Sequence, residues 1–348
     1  MTVPARRTAH RTVSRRLGLL SDAELTALVD SGVPMGAGIG GQVRRVEVAG
    51  RRVFVKRIRL TDAERRPEHA RSTADVFGLP SFCHYGIGDV GSPGFGAWRE
   101  LAVNTMTTRW VLSGRFPGFP LTYHWRVLPD GPRPLPAQLA DVDRAVAYWD
   151  GGPGLHARVE GLRSASASLT LFLEYIPSTL HDWLGVRLRT EGADAACALV
   201  ERELPALTGF LRERGLVHFD VHFRNVLTDG RRLYLADHGL ALSAGFRLTP
   251  PERAFLDRHR DYDRAYASGY LARWLVTDLY GYRGAEREAF LRACAAGLRP
   301  EGVPDGAAAL VGRHAPVGVV MEEFERRFRE EGRSTPFPAE TVRRLLPS

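Results

Sequence analysis

A glycine-rich stretch set between two strands, and not ahead of a helix, is the feature that most narrows the folds open to this chain. Residues Gly36-Ala37-Gly38-Ile39-Gly40-Gly41-Gln42-Val43 spell GxGxxGxV. From Val33 the chain reads as strand, glycine turn, strand, and the runs Val43 to Val48 and Arg52 to Ile58 are joined by Ala49-Gly50, a hairpin-type connection. Glycines at Gly36, Gly38 and Gly41 let a backbone approach a ligand with no Cβ in the way. A dinucleotide-binding βαβ unit or a Walker loop needs its glycines to open a helix, and the GK[ST] of the latter is absent. Both are excluded.

The second strand of that hairpin carries the β-branched and aromatic run Val53-Phe54-Val55-Lys56, and Lys56 is the sole lysine among 48 basic residues. Every other cation is arginine. A compact ammonium acts as a point charge on phosphate oxygens where a planar guanidinium is too large and too rigid. A lone lysine behind a glycine loop therefore points to phosphate chemistry.

The formal charge of +8 is compatible with an anionic partner, but the arginines are scattered among acids and no aromatic-interleaved basic motif or zinc-finger spacing occurs. Nucleic acid is not the favoured partner. Cys83, Cys197 and Cys294 are odd in number and lie outside any CxxC, which argues against a disulfide framework or a cysteine metal site and for a reducing, cytoplasmic setting. Arg6, Arg7, Arg11, Arg15 and Arg16 are not followed by the apolar run of a secretory signal, and no membrane span is expected, since even Leu169 to Ile176 is interrupted by Glu174. The oligomeric state is left open.

Residues 1–32 read as a basic segment followed by a short helix capped by Ser21 with Glu24 three positions on. Residues 59–95 and 115–154, rich in glycine, proline and charge, look like insertions. A helix over Phe95 to Leu112 lies between them and carries Glu100 near its start. Within the second insertion a strand is expected over Leu121 to Leu128 and a helix over Pro136 to Trp149. Leu169 to Ile176 reads as a buried strand ended by Pro177, where the chain turns helical. In Ala193 to Arg214, Val200, Leu204, Leu207 and Leu211 recur at helical spacing up to Gly215. Everything from Asp261 onward reads as helices and connectors.

Residues 218–225 run His-Phe-Asp-Val-His-Phe-Arg-Asn, and after a short hairpin with an Asp229-Gly230 turn comes Asp237-His238-Gly239. HxDxxxxN, a hairpin, then DxG, preceded by a glycine loop and a strand lysine, resembles the catalytic loop and metal-binding motif of the protein kinase-like superfamily, which includes aminoglycoside and choline phosphotransferases. The resemblance covers roughly residues 33 to 240.

The resemblance implies an α+β, two-lobed protein kinase-like fold. Residues 33–176 would form a small antiparallel β-sheet N-lobe with the two insertions, and residues 177–348 a larger, mainly helical C-lobe, with nucleotide in the cleft. It implies transfer of the γ-phosphate of ATP to a hydroxyl with Mg²⁺. Asp220 would accept or orient the acceptor proton. Asn225 and Asp237 would ligate Mg²⁺ through oxygen. Lys56 would hold phosphates with Glu100 as its helix partner, and Val43 would cover the adenine. The Glu174 carbonyl and the Ile176 amide would read the adenine edge. His218 would brace the loop.

His222, two residues past Asp220, follows the HxDxHxxN pattern of many small-molecule phosphotransferases, where typical protein kinases have lysine. Three departures stand out: Phe54 in place of alanine two before the lysine, His238 in place of the DFG phenylalanine, and a short segment from Asp237 to Pro251-Glu252. The acceptor is expected to be a small polar molecule. A protein serine or threonine is the first alternative, and a nucleotide-binding pseudokinase that docks partners is the second.

Overall fold

The computed structural model describes residues 2–38, 41–88 and 90–346, so Ile39 and Gly40 of the glycine stretch lie outside the described residues. The chain is α+β and divides into two compact units. Residues 1–176, 237–241 and 245–251 form the first, and residues 177–236, 242–244 and 252–348 the second.

The first unit begins with two helices, α1 (Val3–Gly18) and α2 (Asp22–Asp30). Ser21 and Glu24 form the expected capping box on α2. The basic segment before it is not merely a lead but a 16-residue helix. Ala9, Val13 and Leu17, four apart, are buried, and the same stripe carries Arg6, which is fully buried. An arginine at an apolar position hid this periodicity.

Then follow β1 (Val33–Gly38), β2 (Gly41–Val48), β3 (Arg51–Leu60), α3 (Asp62–Arg65), α4 (Ala97–Leu112), β4 (Thr122–Pro129), α5 (Val142–Tyr148), α6 (Pro153–Ser164) and β5 (Ala167–Glu174). The five strands make an antiparallel sheet in the order β1-β2-β3-β5-β4. The β2–β3 turn has positive φ at both Ala49 and Gly50 (51° and 69°), the twist a two-residue hairpin favours. The helix expected over Pro136 to Trp149 is shorter than read, a 3₁₀ turn and then α5. α6 is an additional helix, starting on Pro153, that the proline-rich composition concealed.

One face of the sheet decides where Lys56 goes. Side chains alternate along β3, so Phe54, Lys56, Ile58 and Leu60 share a face, and in register with them on β5 lie Leu173, Leu171, Leu169 and Ala167. Ala97, Trp98 and Leu101 of α4 cover this face in one apolar cluster. Each fully buried leucine there contributes about 1.5–3 kcal/mol.

The segment before α4 is ordered by one carboxylate. Glu64 closes a capping box with Thr61, accepts the Ala97 N–H at 2.8 Å and pairs with Arg158 of α6 at 2.7 Å. Gly96, at φ 116°, passes so close that a Cβ there would meet Glu64 Oε1 at 2.6 Å. The start of α4 is thereby fixed against α3 and α6.

The second unit contains β6 (Ser178–Thr179), α7 (Leu180–Arg187), α8 (Ala193–Glu213), β7 (Leu216–Val217), β8 (Val226–Thr228), β9 (Leu233–Leu235), β10 (Leu242–Ser243), most of α9 (Pro250–Arg258), α10 (Tyr262–Tyr280), α11 (Gly284–Ala295), α12 (Asp305–Glu330) and α13 (Ala339–Leu345). The stripe read from Val200 to Leu211 is buried on α8, and Gly215 follows it at φ 62°. Helices α10 and α12 approach closely where Gly269 faces Gly318; a Cβ on Gly269 would lie 3.3 Å from the Gly318 Cα. Arg273 and Glu325 link the same two helices through two hydrogen bonds of 2.7 and 2.8 Å. Among the described residues, no helix is long and apolar enough to cross a membrane.

Candidate active site

In the first unit the sole lysine is 4% exposed and its ammonium sits between two carboxylates. Lys56 Nζ donates to Glu100 Oε1 at 2.7 Å and to Asp237 Oδ1 at 2.7 Å. The packing of Ala97 and Leu101 on the sheet carries Glu100, three positions after Ala97, to the Lys56 face. Burial works against the ammonium, but Asp237 first and Glu100 second outweigh it and hold Lys56 charged. Burial, and then the nearby Asp237, push the Glu100 carboxyl up to about 7 although Lys56 pulls it down. Asp237 is the more open partner, its side chain 41% exposed against 4% for Glu100.

Asp237 adopts φ 60°, a left-handed conformation uncommon for a non-glycine residue. Two residues on, Gly239 passes the cluster so tightly that a Cβ would stand 3.3 Å from Glu100 Oε2 and 3.5 Å from Asp237 Oδ1. His238 is buried, its ring tilted against Phe119.

Val43 pairs directly with Lys56 across β2 and β3, so the two side chains share a face. Gly41 is obligatory for a local reason: a Cβ there would lie 2.1 Å from the Arg57 carbonyl oxygen. Gly36, at φ 135°, lies at the irregularity in the β1–β2 register, and Gly38 pairs with Gly41. The Glu174 carboxylate has a use the sequence does not announce. It ion-pairs with Arg6 at 2.6 Å and accepts the Leu121 N–H at 3.1 Å. Arg6 also donates to the carbonyls of Pro117 and Phe119. Ile176 is half-buried just after β5.

In the second unit, residues 218–225 close a tight hydrogen-bonded loop. The Asp220 N–H donates to His218 Nδ1 at 3.3 Å, so His218 carries its proton on Nε2, which faces the Ala236 carbonyl at 3.1 Å. The Asn225 amide donates to the Asp220 carbonyl at 3.1 Å and to Asp220 Oδ2 at 2.9 Å. Its NH₂ is thereby committed, which leaves the carboxamide oxygen as the acceptor of this side chain. His222 Nδ1 accepts the N–H groups of Arg224 and Asn225, which leaves the Nε2 proton facing Asp220 Oδ1 at 3.5 Å. Asp220, His222 and Asn225 are thus brought together. The Ala236 N–H donates to the Asn225 carbonyl at 3.0 Å, one residue before the chain enters Asp237.

Asp263, near the start of α10, is a supporting residue that the sequence reading passes over. Its carboxylate accepts the His218 N–H at 2.6 Å and the Phe219 N–H at 2.9 Å. This holds Phe219 at φ 67° immediately before Asp220. Burial, with the neighbouring Asp220, pushes the Asp263 carboxyl up to about 7 against those two bonds. Its only signal in the sequence is an acidic residue in the first turn of a helix, which is too common to single out.

Among the described residues no three or more His, Cys, Asp or Glu side chains form a self-contained metal cage. Asn225 and Asp237 each offer a hard oxygen, the type of donor Mg²⁺ takes when it keeps waters and shares its shell with phosphates. The chain matches no protein-family model, and no curated protein matches it in sequence.

Proposed function

We propose that this chain is an ATP- and Mg²⁺-dependent phosphotransferase with the two-lobed protein kinase-like arrangement, moving the γ-phosphate to a hydroxyl on a small polar molecule. The observation that carries the reading is the sole lysine, buried, with its ammonium 2.7 Å from each of two carboxylates. A charged amine so held is preorganised for phosphate oxygens, and little covalent chemistry is asked of the protein beyond positioning and charge stabilisation.

In this reading Lys56 binds phosphate oxygens and Glu100 keeps its ammonium oriented. Gly36, Gly38 and Gly41 admit the phosphates beside the β1–β2 hairpin. Val43, the Glu174 carbonyl and the Ile176 amide bound the adenine. Asp220 takes or orients the acceptor proton, with His222 beside it and Asn225 fixing its carboxylate. Mg²⁺, held by oxygens of Asn225 and Asp237, neutralises phosphate charge when bound.

The short segment after Asp237 supports a small acceptor over a protein. Leu242–Ser243 pairs with Leu216–Val217, and the Ala244 N–H donates to the Gly215 carbonyl at 2.8 Å, so this stretch is tied down and is no long docking platform. A cytoplasmic setting accords with Cys83, Cys197 and Cys294 being free and buried thiols.

The test is phosphate transfer from ATP to a panel of hydroxyl-bearing metabolites and generic protein acceptors. Wild-type transfer is expected, abolished in Lys56→Met and Asp237→Ala and near normal in Cys83→Ser. Equal activity in all three variants contradicts the assignment. Nucleotide binding without transfer in the wild type supports the pseudokinase alternative.

A further inference from the structure

Beside the Asp220 loop, the second unit holds a cavity of about 250 Å³ lined by Tyr266, Tyr270, Trp274, Thr277, Arg287 and the Arg273–Glu325 pair. Tyr270 packs edge-on against Phe223, with ring centroids 5.0 Å apart, and lies 6.3 Å from the His222 ring. The Asp220 charge is felt by both Tyr266 and Tyr270. Through Tyr270 the cavity therefore adjoins the loop that carries Asp220.

Its lining combines two recognition elements. Tyr266 and Tyr270 stack with centroids 6.0 Å apart, and Trp274, its indole N–H held by His181 Nδ1 at 2.9 Å, adds a third fixed ring. Flat apolar faces of this kind take the C–H face of a ring. The polar element is Arg287: Nη2 donates to Glu322 at 2.6 Å and Nη1 to Thr277 at 3.4 Å, while the buried Nε has no hydrogen-bond partner among the described residues. Neither tyrosine hydroxyl has one there either. Unsatisfied donors around stacked rings are suited to the hydroxyls of a polyol.

Charge narrows the class further. The one carboxylate of the lining, Glu325, is taken by Arg273 through two hydrogen bonds, and the second guanidinium, Arg287, is matched by Glu322 behind it. With both ion pairs closed, a polycation entering here would find no uncommitted acid in the lining to offset the loss of its water.

Resting on the phosphotransfer reading, we propose that this cavity is the acceptor site and that it takes a single hydroxylated ring, neutral or anionic: a monosaccharide, a cyclitol or a sugar carboxylate, and not an aminoglycoside. Binding to the full chain without nucleotide separates this claim from the transfer reaction. Ligand-observed saturation-transfer NMR with glucose, myo-inositol, glucuronate and kanamycin is the measurement, run on wild type, Tyr270→Ala and Arg287→Met.

At least one of the three non-cationic probes is expected to bind, about ten-fold or more weaker in each variant, with kanamycin weaker than that probe. Tyr270→Phe, which keeps the ring, is expected to retain most of the binding, and this guards against misfolding of the alanine variant. Kanamycin binding as tightly as the best ring probe, no binding by any of the three, or affinities unchanged in both Tyr270→Ala and Arg287→Met would overturn the proposal. Those results bear on the acceptor alone, whereas failure to bind ATP·Mg²⁺ would remove the phosphotransfer reading and leave the cavity assignment to its own data.

Discussion

Lys56 and Asp237, 181 positions apart in sequence, meet at 2.7 Å, and the same ammonium is held by Glu100 at the same distance. The strand supplies the lysine, the helix above it one carboxylate, and the residue at φ 60° after β9 the other. Two carboxylates around one buried cation form a unit in which each member depends on the others.

Substitution of that cation separates charge from shape. Lys56→Met leaves Glu100 buried without its partner and is expected to destabilise the protein by on the order of 3 kcal/mol, read as a lower urea midpoint. Lys56→Arg keeps the charge but replaces a point donor seated between two carboxylates with a planar fork. Transfer is expected to fall about 10²-fold or more while the fold is largely retained. Full activity of Lys56→Arg contradicts the assigned role.

The amino-terminal helix is an integral part of the first unit. Arg6 is fully buried and Glu174 is 7% exposed, so Arg6→Met, with a similar stem and no charge, is expected to cost about 3–5 kcal/mol by leaving the Glu174 carboxylate unpaired. The double variant Arg6→Met/Glu174→Gln is expected to recover part of that loss. A chemical-denaturation midpoint unchanged in Arg6→Met contradicts this reading.

The Asp263 carboxyl ties the backbone ahead of Asp220, and its folded-state value of about 7 exceeds the ordinary 3.8. The folded protein therefore binds this proton more tightly than the unfolded chain. The associated stability is fully present below about 4 and lost as pH rises through about 7. Relative to Asp263→Asn, the wild type is expected to lose stability across that window and to run parallel above it. Urea midpoints at intervals from pH 4 to 8 decide the matter, and curves parallel throughout would contradict it.

Much of the first unit was legible from residue pattern. The glycine stretch, the Ala49-Gly50 turn, the strand carrying Lys56 and the helix bearing Glu100 all follow from periodicity and turn chemistry. The pairing of Glu100 with Lys56 rests on α4 crossing one face of β3, which is a matter of packing more than of spacing. Arg6 escaped notice because a buried guanidinium reads as surface. Its partner Glu174 was read for its carbonyl alone, since nothing local marks a carboxylate that will be claimed by residue 6. Asp263 was hidden for a related reason: its two bonds go to backbone N–H groups, which leave no trace in side-chain pattern. The cavity at Tyr270 is lined from α10, α11 and α12, and a stretch legible only as helices and connectors does not show which of their residues meet.

Calorimetric titration of the full chain with ATP, with and without Mg²⁺, tests the central claim most directly. One ATP is expected to bind with Mg²⁺ present. Lys56→Met is expected to weaken binding, Asp237→Ala to remove the Mg²⁺ dependence, and Asp220→Asn to bind as wild type does while transferring no phosphate. No ATP binding by the wild type, or binding equally strong with and without Mg²⁺ in all four proteins, would contradict the account.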